Sequence, residues 1–320
     1  MLTPLNSISQ FIIIFFLIFS AINALPEMPS VSAGCIIVID KAQKDLNVFR
    51  GGKQTAEFPA SFGIDPDSDK YKAHDCATPE GLYFITYKKD ETRFHRLLGI
   101  SYPNLVNAEK GLAGGVISLN EYHKIYEAAH KSRRTTSETR LGSGIAIHGG
   151  GVFKSFGKTR ERDWTEGCIA LNDKDMENLF GGCSPGDPVI IFNSRRNLYG
   201  LIRPFTHSKD RDEKGVPVCP DGVCMYQVEI PTSLGWMKFM MKEGKDYGRS
   251  LQVMVYHIDD LEKPILTLVD QNADGLMSSM DSVTGMGVDE TKPQEVYQQV
   301  RASVITTLSK GELSDISIRR

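Results

Sequence analysis

The stretch Ile145-Ala146-Ile147-His148-Gly149-Gly150-Gly151, continued by Trp164-Thr165-Glu166-Gly167-Cys168-Ile169-Ala170, decides how this chain is read. Its first four residues carry a strand signal, and three glycines end it. Sixteen residues separate His148 from Thr165, and Cys168 follows another glycine, Gly167. A thiol is a strong nucleophile only as its thiolate, and an imidazole within reach can take the proton. The pair is therefore either a nucleophile with its base, or a structural cysteine and a histidine that closes a buried strand.

Outward from this stretch the pattern is β-rich. Residues 36–40, 47–50, 57–62, 82–87 and 188–192 read as further strands, separated by glycine or charged turns. Residues 120–130 have helical spacing, with Tyr122, Ile125, Tyr126 and Ala129 on one face. A short helix is expected over 173–180, with Asn172 or Asp173 as its N-cap and Gly181 as its stop. The expected class is mostly β with a few helices, in a β-sandwich-like arrangement. Residues 194–222 are charged and turn-rich and read as a linker or long loop. A smaller mixed α/β C-terminal region is expected over 223–320: a strand near Tyr226, a helical run over 236–242, strands over 251–258 and 265–269, and a helix over 292–308.

The composition is that of an ordinary globular protein: 320 residues, 41% hydrophobic, 24% charged and a formal net charge of -3. It gives no electrostatic case for a nucleic-acid partner. Residues 1–24 carry an apolar centre, Phe11 to Phe19, followed by small residues, and read as a secretory signal or an uncleaved N-terminal membrane anchor. A third reading makes Cys35 a lipid-carrying N-terminus. Export implies an oxidising compartment, where disulfides are permitted. The six cysteines are 35, 76, 168, 183, 219 and 224. The turn Cys219-Pro220-Asp221-Gly222-Val223-Cys224 suits a local bridge.

The central stretch resembles the catalytic motif of the L,D-transpeptidase (YkuD-like) family: a His, a spacer, Ser or Thr, usually a second His, then Gly-Cys. Thr78-Pro79-Glu80-Gly81-Leu82-Tyr83 is similar to the family's approach to a strand, and Tyr102-Pro103-Asn104 with Asp163-Trp164-Thr165 resembles an ErfK/YafK-type subgroup. The resemblance covers residues 33–193. It implies Cys168 as acyl-forming nucleophile, His148 as general base and the Gly149 carbonyl as orienting partner. The amides of Gly167 and Cys168 are natural donors to an oxyanion. Thr165, Tyr102 and Asn104 are candidates for the substrate groove, the last two also readable as a packed aromatic and a turn residue. Two departures stand out: Glu166 occupies the second histidine's place, and Ala170 the place of a polar residue. Glu166 reads as a binder of an acceptor ammonium or as an exposed turn residue.

The implied substrates are peptidoglycan stem peptides, with an envelope protein's amine as another acyl acceptor, in the periplasm or cell envelope of a bacterium. Three reactions share the chemistry: cross-linking, attachment of a protein to the wall, and hydrolysis. The rival from another class is a catalytically silent wall-binding protein. Catalysis needs no cofactor in this reading. A separate stretch, Asp270-Gln271-Asn272-Ala273-Asp274-Gly275-Leu276-Met277-Ser278-Ser279-Met280-Asp281, resembles a dockerin or EF-hand-like loop. Asp270, Asn272, Asp274, Ser278 and Asp281 are its candidate ligands for a structural Ca²⁺.

Overall fold

The computed structural model describes residues 34–130, 139–257, 260–282 and 291–312. The signal or anchor segment of residues 1–24 lies outside them. No helix of the described residues is long and apolar enough to cross a membrane.

Ten strands come from the first part of the chain: β1 (Ile36–Asp40), β2 (Asp45–Arg50), β3 (Lys53–Pro59), β4 (Gly81–Thr92), β5 (His95–Ile100), β6 (Ala146–His148), β7 (Phe153–Phe156), β8 (Thr159–Arg162), β9 (Ile169–Ala170) and β10 (Pro188–Phe192). Eight of them form one mixed sheet in the order β3-β2-β1-β10-β4-β5-β6-β9, and β7 and β8 form a separate hairpin. The parallel pairs are β1 with β10 and β6 with β9. Helices α1 (Leu105–Ala113) and α2 (Leu119–His130) connect β5 to β6, and α3 (Asp173–Gly182) connects β9 to β10.

The central strands β1 and β10 are apolar without alternation because both of their faces are covered. Ile37, Ile39, Val189 and Ile191 enter one core, with Leu46, Tyr83, Leu98 and Ile147. Val38, Ile190 and Phe192 enter a second core on the opposite face. That second core is closed by the rest of the chain. Strands β11 (His207–Ser208), β12 (Val223–Thr232), β13 (Gly235–Gly244), β14 (Gly248–Tyr256), β15 (Leu266–Asp270) and β16 (Ser279–Ser282) form a six-stranded antiparallel sheet in sequence order. Its inner face packs with α5 (Pro293–Ser309) through Val296, Tyr297, Val300, Val304 and Leu308.

Three expectations change. Residues 194–222, expected as a linker, hold a short helix, α4 (Leu198–Ile202), and a 3-10 turn over Arg203–Phe205. Leu198, Leu201, Ile202 and Phe205 are buried in the second core. Residues 236–242, expected as a helix, lie in β13. Met237, Phe239 and Met241 point inward there while Trp236, Lys238, Met240 and Lys242 stay partly exposed, so the period is two. Cys35 is bonded to Cys183, 148 residues away, and carries no free thiol for a lipid. The local Cys219–Cys224 bridge is present as expected. Cys76 and Cys168 are the free cysteines among the described residues.

Candidate active site

Strand pairing brings His148 and Cys168 to one place. In the β6–β9 pair Ile147 lies opposite Ile169 and His148 opposite Ala170. Cys168 therefore stands in line with Ala146, two residues before the level of His148 on the neighbouring strand. Strand spacing and rise put the two α-carbons about 8 Å apart, within reach of a cysteine and an imidazole converging between them.

The imidazole is fixed from three sides. Its Nδ1 lies 2.6 Å from the Gly149 carbonyl oxygen. A carbonyl only accepts, so Nδ1 carries the proton and Nε2 is left as the acceptor. Phe94 stacks on the ring at 4.6 Å between centroids, and Trp164 meets it edge-on at 5.8 Å. Trp164 is itself held by a hydrogen bond from Nε1 to the Gly151 carbonyl at 3.1 Å. His148 is 2% exposed. Burial lowers its pKa, the hydrogen bond to Gly149 opposes this, and the charges of Arg93 and Lys154 lower it further. Burial and both cations thus favour the neutral ring.

The cysteine loop is built around Thr165. Its hydroxyl donates to the Cys168 carbonyl at 2.6 Å and accepts from the Gly167 amide at 3.2 Å. Backbone bonds from Thr165 to Phe62 and from Ile64 back to Thr165 tie the loop to residues 62–64. Gly167 has φ +125, and a Cβ there would lie 2.6 Å from the Ala77 carbonyl oxygen, so only glycine fits. A Cβ at Gly149 would likewise lie 2.6 Å from the Asp173 carboxylate, which receives the Gly150 amide at 2.7 Å.

The Cys168 sulfur is partly buried and donates to the Gly144 carbonyl at 3.8 Å. Burial raises its pKa most. The Ala146 amide and the charges of Lys70 and Arg93 oppose the rise, and Glu166 adds to it. The raised thiol and the lowered imidazole both favour the neutral pair over a thiolate–imidazolium ion pair. No hydrogen bond joins them among the described contacts; such bonds commonly tighten when substrate arrives.

The expected oxyanion donors divide. The Gly167 amide is spent on Thr165, while the Cys168 amide has no acceptor among the described contacts. Glu166 is exposed beside the sulfur, with no ion-pair partner among the described residues. Tyr102 and Asn104, expected along the substrate groove, do structural work instead. Tyr102 is buried, with its hydroxyl bonded to the Leu141 carbonyl at 3.0 Å. Asn104 is the N-cap of α1 in a reciprocal capping box with Asn107. The Thr78-Pro79-Glu80-Gly81 segment is a buried anchor: Thr78 accepts from the Gly63 amide at 3.0 Å, and Glu80 pairs with the buried Lys41 at 2.9 Å.

Two aromatic-bound cations at the site were not evident from sequence. Arg93 and Phe94 are the two-residue turn between β4 and β5, which pairs onward with β6 (Leu97 opposite His148). Lys154 comes from β7, just after the triple glycine.

Of the five candidate calcium ligands, Asp270, Asn272, Asp274 and Ser278 lie at and after the end of β15, and Asp281 lies on β16. Asp270 is buried, and its carboxylate accepts from the Asp274 amide at 3.2 Å, the Gly275 amide at 2.9 Å and the Tyr297 hydroxyl at 3.0 Å. Asp274 accepts from the Leu276 amide, and Ser278 accepts from the Gln271 amide. Asn272 lies in the bend after Asp270. Asp281 is carried off along β16, where it faces Thr267 across the strand pair. That is about 10 Å along the strand from Asp270. Among the described residues, the close trio of metal-capable side chains is the Cys35–Cys183 disulfide with Asp187, whose sulfurs are bonded to each other.

Residues 34–191 match the YkuD family, the L,D-transpeptidase catalytic domain. The match takes in His148 and Cys168 and leaves the six-stranded sheet outside it. Among solved structures the chain is similar to an L,D-transpeptidase from Xylanimonas cellulosilytica, with 17% identity, a TM-score of 0.29, and coverage of 51% of this chain and 63% of that one. An L,D-transpeptidase from Mycobacterium smegmatis gives 15% identity, a TM-score of 0.29, and 50% and 58% coverage. Bd1075 of Bdellovibrio bacteriovorus gives 13% identity, a TM-score of 0.32, and 80% and 94% coverage. The chain thus spans about three fifths of the length of the first two. No curated protein matches it.

Proposed function

We propose that this protein is a cysteine-dependent acyl transferase of the L,D-transpeptidase kind, acting on peptidoglycan stem peptides outside the cytoplasm. The observation that carries the reading is the β6–β9 register, which sets Cys168 beside an imidazole whose only free nitrogen is Nε2.

The steps follow from the neutral pair. His148 Nε2 takes the Cys168 proton as the sulfur attacks a peptide carbonyl. The oxyanion that forms is received by the Cys168 amide. The imidazolium then protonates the leaving amine, the C–N bond breaks, and a Cys168 thioester remains. An incoming amine gives its proton to His148, attacks the thioester and releases the thiol. Water in place of the amine gives hydrolysis. The exposed Glu166, without an ion-pair partner among the described residues, supports an amine acceptor, because a carboxylate beside the thiol attracts an ammonium group.

The test is incubation with purified muropeptides, read by mass spectrometry, for wild type and Cys168→Ala. Cross-linked dimers or amine-exchanged stems that need Cys168 support transfer. Shortened stems alone replace transfer by hydrolysis at the same centre. Identical profiles for wild type and variant remove the enzymatic reading.

A further inference from the structure

The β7–β8 hairpin lies between His148 and Cys168 in the chain, entered through Gly150 and Gly151 and left through Asp163 and Trp164. Its strands pair with each other and with no third strand among the described residues: Phe153 stands opposite Arg162, Ser155 opposite Arg160 and Phe156 opposite Thr159. Gly157, with φ +63, and Lys158 make the turn. Two phenylalanines on this short element stand in solvent. Phe153 is 43% exposed, and Phe156, beside the turn, is 54% exposed. The same ten residues carry Lys154, Lys158, Arg160 and Arg162 against Glu161, a net +3 in a chain of net -3.

The four cations divide by place. Lys154 is turned onto the Trp164 ring, and Arg162 donates to the Lys44 and Ala60 carbonyls. Lys158 and Arg160 are exposed, with no carboxylate partner among the described residues. Arg160 lies over the Phe153 ring at 4.5 Å, which restrains its charge without neutralising it. The tip thus presents an apolar ring, Phe156, beside two outward cations. We infer that this tip docks on an anionic lipid bilayer, with Phe156 entering the acyl boundary and Lys158 and Arg160 meeting phosphate headgroups. The charges require an anionic partner. The exposed ring decides for a bilayer over a soluble polyanion, which has no apolar phase to receive it. The Trp164 Nε1 bond to the Gly151 carbonyl closes the base of the hairpin beside His148, so docking at the tip sets the His148–Cys168 centre next to the membrane. The inference does not depend on the acyl-transfer reading.

The test reads the tip itself, because the apolar residues 1–24 can hold the full chain on any vesicle. Phe156→Trp adds a fluorophore at the tip to Trp164 and Trp236, which wild type also contains. The full chain is mixed with vesicles of phosphatidylcholine alone, or of phosphatidylcholine and phosphatidylglycerol in equal parts, each with and without brominated acyl chains. The emission added by Phe156→Trp is expected to shift to the blue and to be quenched by bromine on the anionic vesicles. Its quenching there is expected to exceed that on neutral vesicles several-fold, since each basic residue near an anionic surface is worth about fivefold in occupancy. Lys158→Glu/Arg160→Glu in the same background is expected to bring the ratio of anionic to neutral quenching to one, and 1 M salt is expected to lower it toward one. No bromine quenching of the added emission overturns the proposal.

Two further outcomes also overturn it. Quenching that is equal on neutral and anionic vesicles, and unmoved by the charge reversal, would assign the membrane contact to residues 1–24. Saturable binding of inorganic polyphosphate that the charge reversal abolishes, without bromine quenching at residue 156, would make the tip a site for a soluble polyanion. The iodoacetamide rate at Cys168 in the absence of lipid is expected to be the same in wild type and in the charge-reversed chain. Docking lost with that rate unchanged separates the surface from the His148–Cys168 centre, and docking retained in a chain that turns over no peptide leaves the surface standing while the acyl-transfer reading falls.

Discussion

Two stretches of this chain look equally motif-like in sequence, and the fold treats them differently. His148 and Cys168 are brought to neighbouring places by a parallel strand pair, with His148 bonded through Nδ1 alone and the Cys168 sulfur in contact with the Gly144 carbonyl. Asp281 faces Thr267 across an antiparallel pair, three residues along from Asp270, and the Asp270 carboxylate accepts from two amides and a tyrosine hydroxyl. The lesson is that a spacing of reactive or ligating side chains is only a candidate. Whether it makes a site depends on the register that the neighbouring strands impose and on what else each polar atom must satisfy.

The sharpest way to break the comparison is to remove its first member. Cys168→Ala is expected to abolish acyl transfer while leaving the melting temperature within a degree or two. His148→Gln is expected to lower kcat by about 10²–10⁴-fold, the usual worth of a general base. Loss of folding rather than activity in either variant would place these residues with Asp270.

Removing the second member should have the opposite signature. Asp270→Ala leaves the Tyr297 hydroxyl and two loop amides without their acceptor in a buried place, so it is expected to cost about 2–4 kcal/mol of stability. The loss should be the same with millimolar calcium as with a chelator, measured by denaturant unfolding, and the alkylation of Cys168 should be unchanged. Calcium-dependent stability of the wild type that is lost in Asp270→Ala would make the loop a metal site.

A third test separates the chemistry of the sulfur from its position. Burial pushes the Cys168 thiol above its ordinary value, while His148 is pushed below that of a free imidazole. The sign follows: at neutral pH the thiol is mostly protonated, and its thiolate fraction grows as pH rises toward and through the raised pKa. The iodoacetamide rate at Cys168 should therefore keep climbing above pH 8. A rate already flat below pH 7 would mean a preformed thiolate–imidazolium pair.

The smallest expected effect is at Thr165. Thr165→Val keeps the shape and removes the hydroxyl that ties the Gly167 amide to the Cys168 carbonyl. About 1–2 kcal/mol of stability is expected to go, with a several-fold drop in kcat. An unchanged kcat would show that the loop is held by its backbone pairing alone.

The parts legible in the sequence were those decided locally. The run 36–40, the strand before the triple glycine and the helix after Asn172 are each fixed by residues within a few positions. The placing of His148 and Cys168 at turns was legible because the glycines beside them are required: Gly149 and Gly167 have no room for a side chain. Other features were set by distant partners. The turn at Arg93-Phe94 carries neither glycine nor asparagine, so nothing marked the hairpin that delivers Phe94 to His148. Met and Lys favour a helix over 236–242, and the pairing of β13 between β12 and β14 overrides them. Tyr102 and Asn104 looked available for substrate until the carbonyl and the helix start that they serve were in view. The Cys35–Cys183 bridge could not be chosen among six cysteines without the sheet that brings its ends together.

The central claim is a covalent acyl intermediate on Cys168 formed with the help of His148. Rapid acid quench of the enzyme with a stem peptide, followed by intact and peptide-mapped mass spectrometry, tests it directly. The expected result is a thioester-linked acyl fragment on Cys168, absent in Cys168→Ala and slower to form in His148→Gln. Turnover of the same peptide with no adduct on Cys168, or at the same rate in Cys168→Ala, would contradict it.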